Sequence, residues 1–99
     1  MNALKEENCM KALQEICSDN FNDDEYSLNG SAESAVCLEK TTDGWMVYEK
    51  EKNSKNDTFF YDNIVEACLD FLRRLSMEKN YRALKDVFFD RIIAGEKIA

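Results

Sequence analysis

From Ala35 to Leu75 the chain carries the smallest unit in it that can bury a core, and everything else has to fit around that unit. Ala35-Val-Cys-Leu-Glu-Lys40 and Trp45-Met-Val-Tyr-Glu-Lys50 are short runs rich in β-branched and aromatic residues, joined by Thr41-Thr42-Asp43-Gly44. Asp-Gly between two such runs signals a hairpin, with Gly44 expected to take the positive φ of a tight turn. The strands are expected over 35–40 and 45–51. A charged connection, Glu49 to Asp57, reads as a solvated loop leading to a third strand at Thr58-Phe-Phe-Tyr61. Ile64, Ala67, Cys68, Phe71, Leu72 and Leu75 then recur at helical spacing and predict a helix over 63–77, capped by Asp62 or Asn63. With Asn63 as the cap, Glu66 falls where a capping-box exchange forms.

The flanks read as helices. Leu4, Cys9, Ala12, Leu13, Ile16 and Cys17 form a loose apolar stripe over 2–18, with Asn2 as N-cap and Glu6 and Glu7 in the early turns. Tyr81, Leu84, Val87, Phe88 and Ile92 form another over 79–94, which Gly95 is expected to end. Residues 18–34 read as an irregular acidic loop, with Phe21, Tyr26 and Leu28 spaced to pin it to the core. The expected fold is α+β in the order α-β-β-β-α-α: a small antiparallel three-stranded sheet with helices packed on one face. Residues 1–99 are expected to form a single domain.

Composition narrows the class. Apolar residues make up 44% of the chain, which is globular rather than disordered composition. No run of about 18 apolar residues is present, so no membrane span is expected. The N-terminus reaches Glu6 and Glu7 before any apolar block and lacks the form of a signal peptide, which points to the cytoplasm. Cys9, Cys17, Cys37 and Cys68 each fall on an apolar periodicity, at irregular spacings and with no Cys-x-x-Cys. They read as reduced thiols packed as small hydrophobes rather than as metal ligands.

The charge is lopsided. Residues 1–48 hold ten acids against three lysines and so carry the whole net charge of −7, while residues 49–99 balance ten acids with ten bases. A nucleic-acid partner needs a basic footprint, and none is present. A basic protein is the natural complement.

Catalytic chemistry is thin. The chain has no histidine, which removes Ser-His and Cys-His nucleophile pairs. Asp23-Asp24-Glu25 is the densest carboxylate group, but it reads as solvated loop rather than as a desolvated acid–base pair. Asn20, Asn22 and Asp24 mimic the start of a calcium loop, but Glu25 stands at its sixth position and Ser31 at its twelfth. With three glycines in all, no phosphate-cradling motif is present. No catalytic residue, metal or cofactor is expected. What remains is a surface on which carboxylates steer a partner and aromatics anchor it. The first candidate patch is Asp19, Asp23, Asp24, Glu25 and Tyr26 with Glu33, and the second is Glu39, Asp43 and Tyr48. The competing reading of the same acids is that they keep the protein in solution.

The block Ala35-Val-Cys-Leu-Glu-Lys40, Gly44-Trp45-x-Val47-Tyr48, Phe60 and Glu66-Ala67-Cys68-x-x-Phe71-Leu72-x-x-Leu75 resembles a family of small immunity proteins. These accompany bacterial polymorphic toxins, including those of contact-dependent growth inhibition. The resemblance covers about forty residues. Relatives carry an acidic-basic-glycine step after the tyrosine, where this chain has Glu49-Lys50-Glu51 and no glycine. The resemblance implies a monomeric cytoplasmic antidote that binds a cognate toxin domain, often a nuclease with a basic cleft. It carries over no contact residue. The alternative is a small adaptor or assembly subunit that uses its helical face, with Cys9 and apolar residues of the first and third helices partly exposed. A redox-sensing thiol protein ranks last, because Cys9, Cys17 and Cys37 have no adjacent base to lower a pKa.

Overall fold

The computed structural model describes residues 2–52 and 54–98, with side chains from Lys5 to Gly95 except Asn53. Over the described residues the chain is α+β, with three helices and a four-stranded mixed sheet. Its elements are α1 (Asn2–Asn20), β1 (Tyr26–Leu28), β2 (Val36–Lys40), β3 (Trp45–Glu51), β4 (Ser54–Tyr61), α2 (Ile64–Ser76) and α3 (Tyr81–Ile98). The strands lie in the order β1-β2-β3-β4. β2, β3 and β4 are antiparallel neighbours, whereas β1 pairs parallel to β2, with Tyr26 opposite Val36 and Leu28 opposite Leu38.

The sheet is therefore not the three-stranded antiparallel one expected. β1 lies in the stretch that reads as loop. Parallel neighbours normally need a crossover of about a dozen residues or more, and here 29–35 suffices. Asn29 and Ser34, both at φ 61°, turn the chain at either end of that connection. The connection returns across the face of the sheet away from the helices, where Ala32 and Ala35 pack on Cys37, Met46 and Tyr48.

The main core lies on the other face. Alternation along β2 and β3 sends Leu38, Trp45 and Val47 inward, where they meet Ile64, Ala67, Cys68, Phe71 and Leu72 of α2. α2 lies against β2, β3 and β4, and α1 and α3 pack on each other and on α2. From α1 come Cys9, Ala12, Leu13, Ile16 and Cys17, and from α3 Leu84, Phe88 and Ile92. Leu4 and the Asn2 cap fall outside the described side chains.

Four local expectations change. Gly44 does not take a positive φ. It is required for space: a methyl there would collide with the Tyr61 carbonyl oxygen and lie 3.0 Å from Asp62 Cα. Gly95 does not end α3, which runs on to Ile98. A Cβ on Gly95 would come within 3.3 Å of the Asn8 side chain, so glycine here lets α1 approach. The presumed loop from Glu49 to Asp57 is mostly strand, because β3 runs to Glu51 and β4 starts at Ser54. Its polar side chains conceal the alternation that would have marked it. Asn63 does cap α2, its Oδ1 accepting from Val65 N at 2.8 Å. Glu66, however, makes no return bond among the described residues.

Candidate functional site

The acidic loop is a built turn. Asn20 Nδ2 donates to Ile16 O at 2.8 Å and closes α1, and Phe21 N donates to Cys17 O at 2.9 Å. Glu25 N then donates to Asn22 O at 3.0 Å, and Asn22 N donates back to the Glu25 carboxylate at 2.6 Å. This leaves Asp23 and Asp24 exposed, and neither forms an ion pair among the described residues. Tyr26 turns the other way. Its ring meets Phe71 edge-on, with centroids 6.5 Å apart, and burial together with the charges of Cys17 and Asp23 pushes its hydroxyl pKa up. It anchors the loop to the core rather than offering itself to a partner.

The second candidate patch divides. Tyr48 is fully buried on the outer face and donates its hydroxyl to Glu39, which is half-buried. Burial, then that bond, drives the Tyr48 pKa far up. Lys55 lies over the same ring, 5.0 Å from its centroid. Glu39 and Tyr48 thus satisfy each other and leave only Asp43 open. Asp43 sits at the β2–β3 turn, a strand length of roughly 17 Å from the acidic loop at about 3.4 Å per residue. Asp19 lies 3.8 Å from Arg91, which also holds Glu15 at 2.8 Å. Glu33 is exposed in the β1–β2 connection.

Each end of the sheet carries a cleft. At the loop end, about 370 Å³ is lined by Glu25, Glu49 and Glu51 together with Lys50 and Arg74, over Val36, Leu75 and the exposed Met77. At the turn end, about 470 Å³ is lined by Asp43 and Asp62 beside Trp45, Phe60 and Tyr61. Glu49, Glu51, Asp62 and Phe60 were not among the sequence candidates. The strand register is what brings them to these ends, and register is not legible without pairing partners.

Between the clefts lies a polar network with a structural role. Asp70, on the buried face of α2, accepts from Tyr61 Oη at 2.7 Å, Arg73 Nη2 at 2.8 Å and Arg74 Nε at 3.1 Å. Arg74 also donates to Asp57 O at 2.6 Å, reaches within 3.6 Å of Glu49 and stacks on Phe59. Burial, then the bond to Asp70, pushes the Tyr61 pKa up to about 12. The four cysteines are buried, and none of them is in a disulfide. Burial pushes Cys17 up to about 12 and Cys68 well above the ordinary thiol range, where neither serves as a ready nucleophile. Among the described residues no group of three or more acids or thiols is arranged to hold a metal, and no helix is long and apolar enough to cross a membrane.

No family model, curated protein or solved structure matches the chain. Its function has to be read from these surfaces.

Proposed function

We propose that this chain is an inhibitory binding protein of the immunity type, acting by occupying a basic partner rather than by catalysis. The observation that carries this reading is the split among its carboxylates. Glu6, Glu15, Asp19, Glu49, Asp70 and Glu78 are matched with lysine or arginine. Asp23, Asp24, Asp43 and Asp62 are exposed and have no ion pair among the described residues, and they stand at the two ends of one sheet; Glu7, Glu66, Asp86 and Asp90 are equally unmatched but lie along the helices. Solvation alone asks only for spread charge, whereas the turn-end cleft, lined by Asp43 and Asp62 beside Trp45 and Phe60 with no base among its lining, suits a lysine or arginine side chain of a partner. A toxin domain with a basic, nucleic-acid-binding cleft has that chemistry, and the resemblance of the Ala35–Leu75 block points the same way. The cytoplasm is the compartment in which such an antidote would act.

The test is coexpression with the C-terminal domain of a large secreted protein encoded next to this gene. Copurification at one to one, with growth restored to cells that the domain alone arrests, is the expected result. A domain that is harmless alone and fails to copurify overturns the immunity reading.

A second reading, an adaptor using its helical face, is favoured by one observation. α3 exposes Val87, Phe89 and Ile93 beside its buried stripe. Cys9, which that reading would partly expose, is fully buried.

A further inference from the structure

The sheet has two edges. β1 is three residues long, and its Tyr26 and Leu28 pack into the main core. β4 is eight residues long and mostly exposed. An open edge is a template for another strand, and proteins usually blunt it with charge, bulges or brevity.

The first half of β4 is blunted in this way. It carries Lys55, and its pairing with β3 shifts register between Val47 and Glu49, with Asp57 in the left-handed region at φ 51°. The Asp57 carbonyl is already taken by Arg74. The second half, Thr58 to Tyr61, has none of these devices. It is uncharged and pairs regularly, with Phe59 opposite Val47, Phe60 opposite Met46 and Tyr61 opposite Trp45. Phe59 and Phe60 point to opposite faces and are 56% and 71% exposed, so an added strand would find an aromatic on each side.

This bare edge runs directly into the turn-end cleft. Because Gly44 has no side chain, the Tyr61–Asp62 backbone closes onto the β2–β3 turn. That contact sets Asp62 in the same cleft as Asp43, next to Phe60. Neither carboxylate has an ion-pair partner among the described residues. Two carboxylates beside an exposed ring suit a cationic side chain. A second copy of this chain, at net charge −7, is a poor match for them.

We infer that the Thr58–Tyr61 edge of β4 takes an added strand from an extended segment of a basic partner, whose lysine or arginine enters the cleft of Asp43 and Asp62. Main-chain bonds to the edge supply affinity, and the cation sets the register. The inference rests on the partner-binding reading and specifies where that binding occurs.

It can be tested without the natural partner. Trp45, the single tryptophan of the chain, lines the cleft and reports on it. The probe is an end-capped seven-residue peptide of alternating lysine and valine, compared with the same peptide N-methylated at alternate residues. The plain peptide is expected to change Trp45 fluorescence and to slow hydrogen exchange at the Thr58–Tyr61 amides. N-methylation, which removes backbone donors, is expected to weaken binding about tenfold or more. The double variant Asp43→Asn/Asp62→Asn, at exposed positions, is expected to weaken it about three- to tenfold and to flatten its salt dependence. Equal binding of the methylated peptide, protection confined to another segment, or no response at millimolar peptide overturns the inference. So does protection of this edge by self-association before any peptide is added. Copurification of a toxin domain alongside any of these results would leave the immunity reading standing and remove only the edge.

Discussion

Around Asp70 both carboxylate oxygens are taken up: Oδ1 by Arg73 and Arg74, and Oδ2 by the Tyr61 hydroxyl. In the turn after α1, Asp23 and Asp24 are held in place by backbone bonds on either side, yet their own carboxylates are exposed and form no ion pair among the described residues. The two regions use the same functional group for different ends. At Asp70 the charge fastens α2 to β4, because Arg74 continues from it to the Asp57 carbonyl and to Phe59. In the turn the charge fastens nothing and is left outward. A carboxylate that the fold has already used is a stability element, and one that the fold leaves unmatched at a cleft or turn is available to a partner. That contrast yields predictions of very different size.

The largest effect belongs to Asp70. Its replacement by alanine would leave the Arg74 side chain, 6% exposed, with only the looser Glu49 contact for its charge. Breaking a buried ion pair by removing one member costs several kcal/mol. We expect Asp70→Ala to lower unfolding stability by about 3 kcal/mol, read from urea midpoints at constant slope. A loss under about 1 kcal/mol would show that Asp70 is no more committed than the surface acids.

Asp70 also marks where legibility in the sequence stops. On a helical wheel it falls beside Ala67 and Phe71, and an acid there reads as the rim of the apolar stripe. Only the arrival of Tyr61 from β4 makes it interior. The helices, the β2–β3 hairpin and the Asn63 cap were legible because each is specified by neighbours in the chain. β1 was not, since three residues paired in parallel across a short connection leave no local period. The start of β4 was not, because an exposed edge strand has no apolar side to betray it. The site divides along the same line. Asp23 and Asp24 could be seen as a cluster in sequence, but the meeting of Asp43 with Asp62, and of Glu25 with Glu49 and Glu51, depends on the strand register. Tyr26 and Tyr48 look from sequence like contact aromatics, and packing has turned one into the core and enclosed the other.

The intermediate effect separates the two regions by proton linkage. Cys17 and Tyr61 hold their protons in the folded state to about pH 12, above their ordinary values of 9.0 and 10.0. Their pKa values are raised, so the stability they contribute is fully present below the unfolded values and is lost as pH climbs toward 12. We expect the unfolding free energy from urea titrations to hold between pH 7 and 8.5, then to fall from roughly pH 9 upward by as much as about 1.4 kcal/mol per pH unit for each such group. Cys17→Ala should reduce the early part of that fall, to which Cys68 also contributes, and leave the later part, shared by Tyr61 and Tyr48, in place. A flat profile to pH 11 would mean that these groups titrate as they would in an open chain.

The smallest effect on folding is expected where the effect on binding is largest. Asp23→Ser/Asp24→Ser leaves the Glu25 carboxylate accepting from Asn22 N, so the turn keeps the bonds that shape it. Stability should therefore change by no more than about 0.5 kcal/mol. If the unmatched acids steer a basic toxin domain, the same variant should slow its association by about two- to fivefold at low ionic strength and hardly at all at high salt. Stopped-flow mixing with the copurified domain, beside a urea titration of the free protein, reads both quantities. Unchanged association at low salt would take the partner away from the α1–β1 turn. The turn-end cleft and the bare half of β4 would then remain as the place where it docks, since Asp43 and Asp62 are untouched by the change.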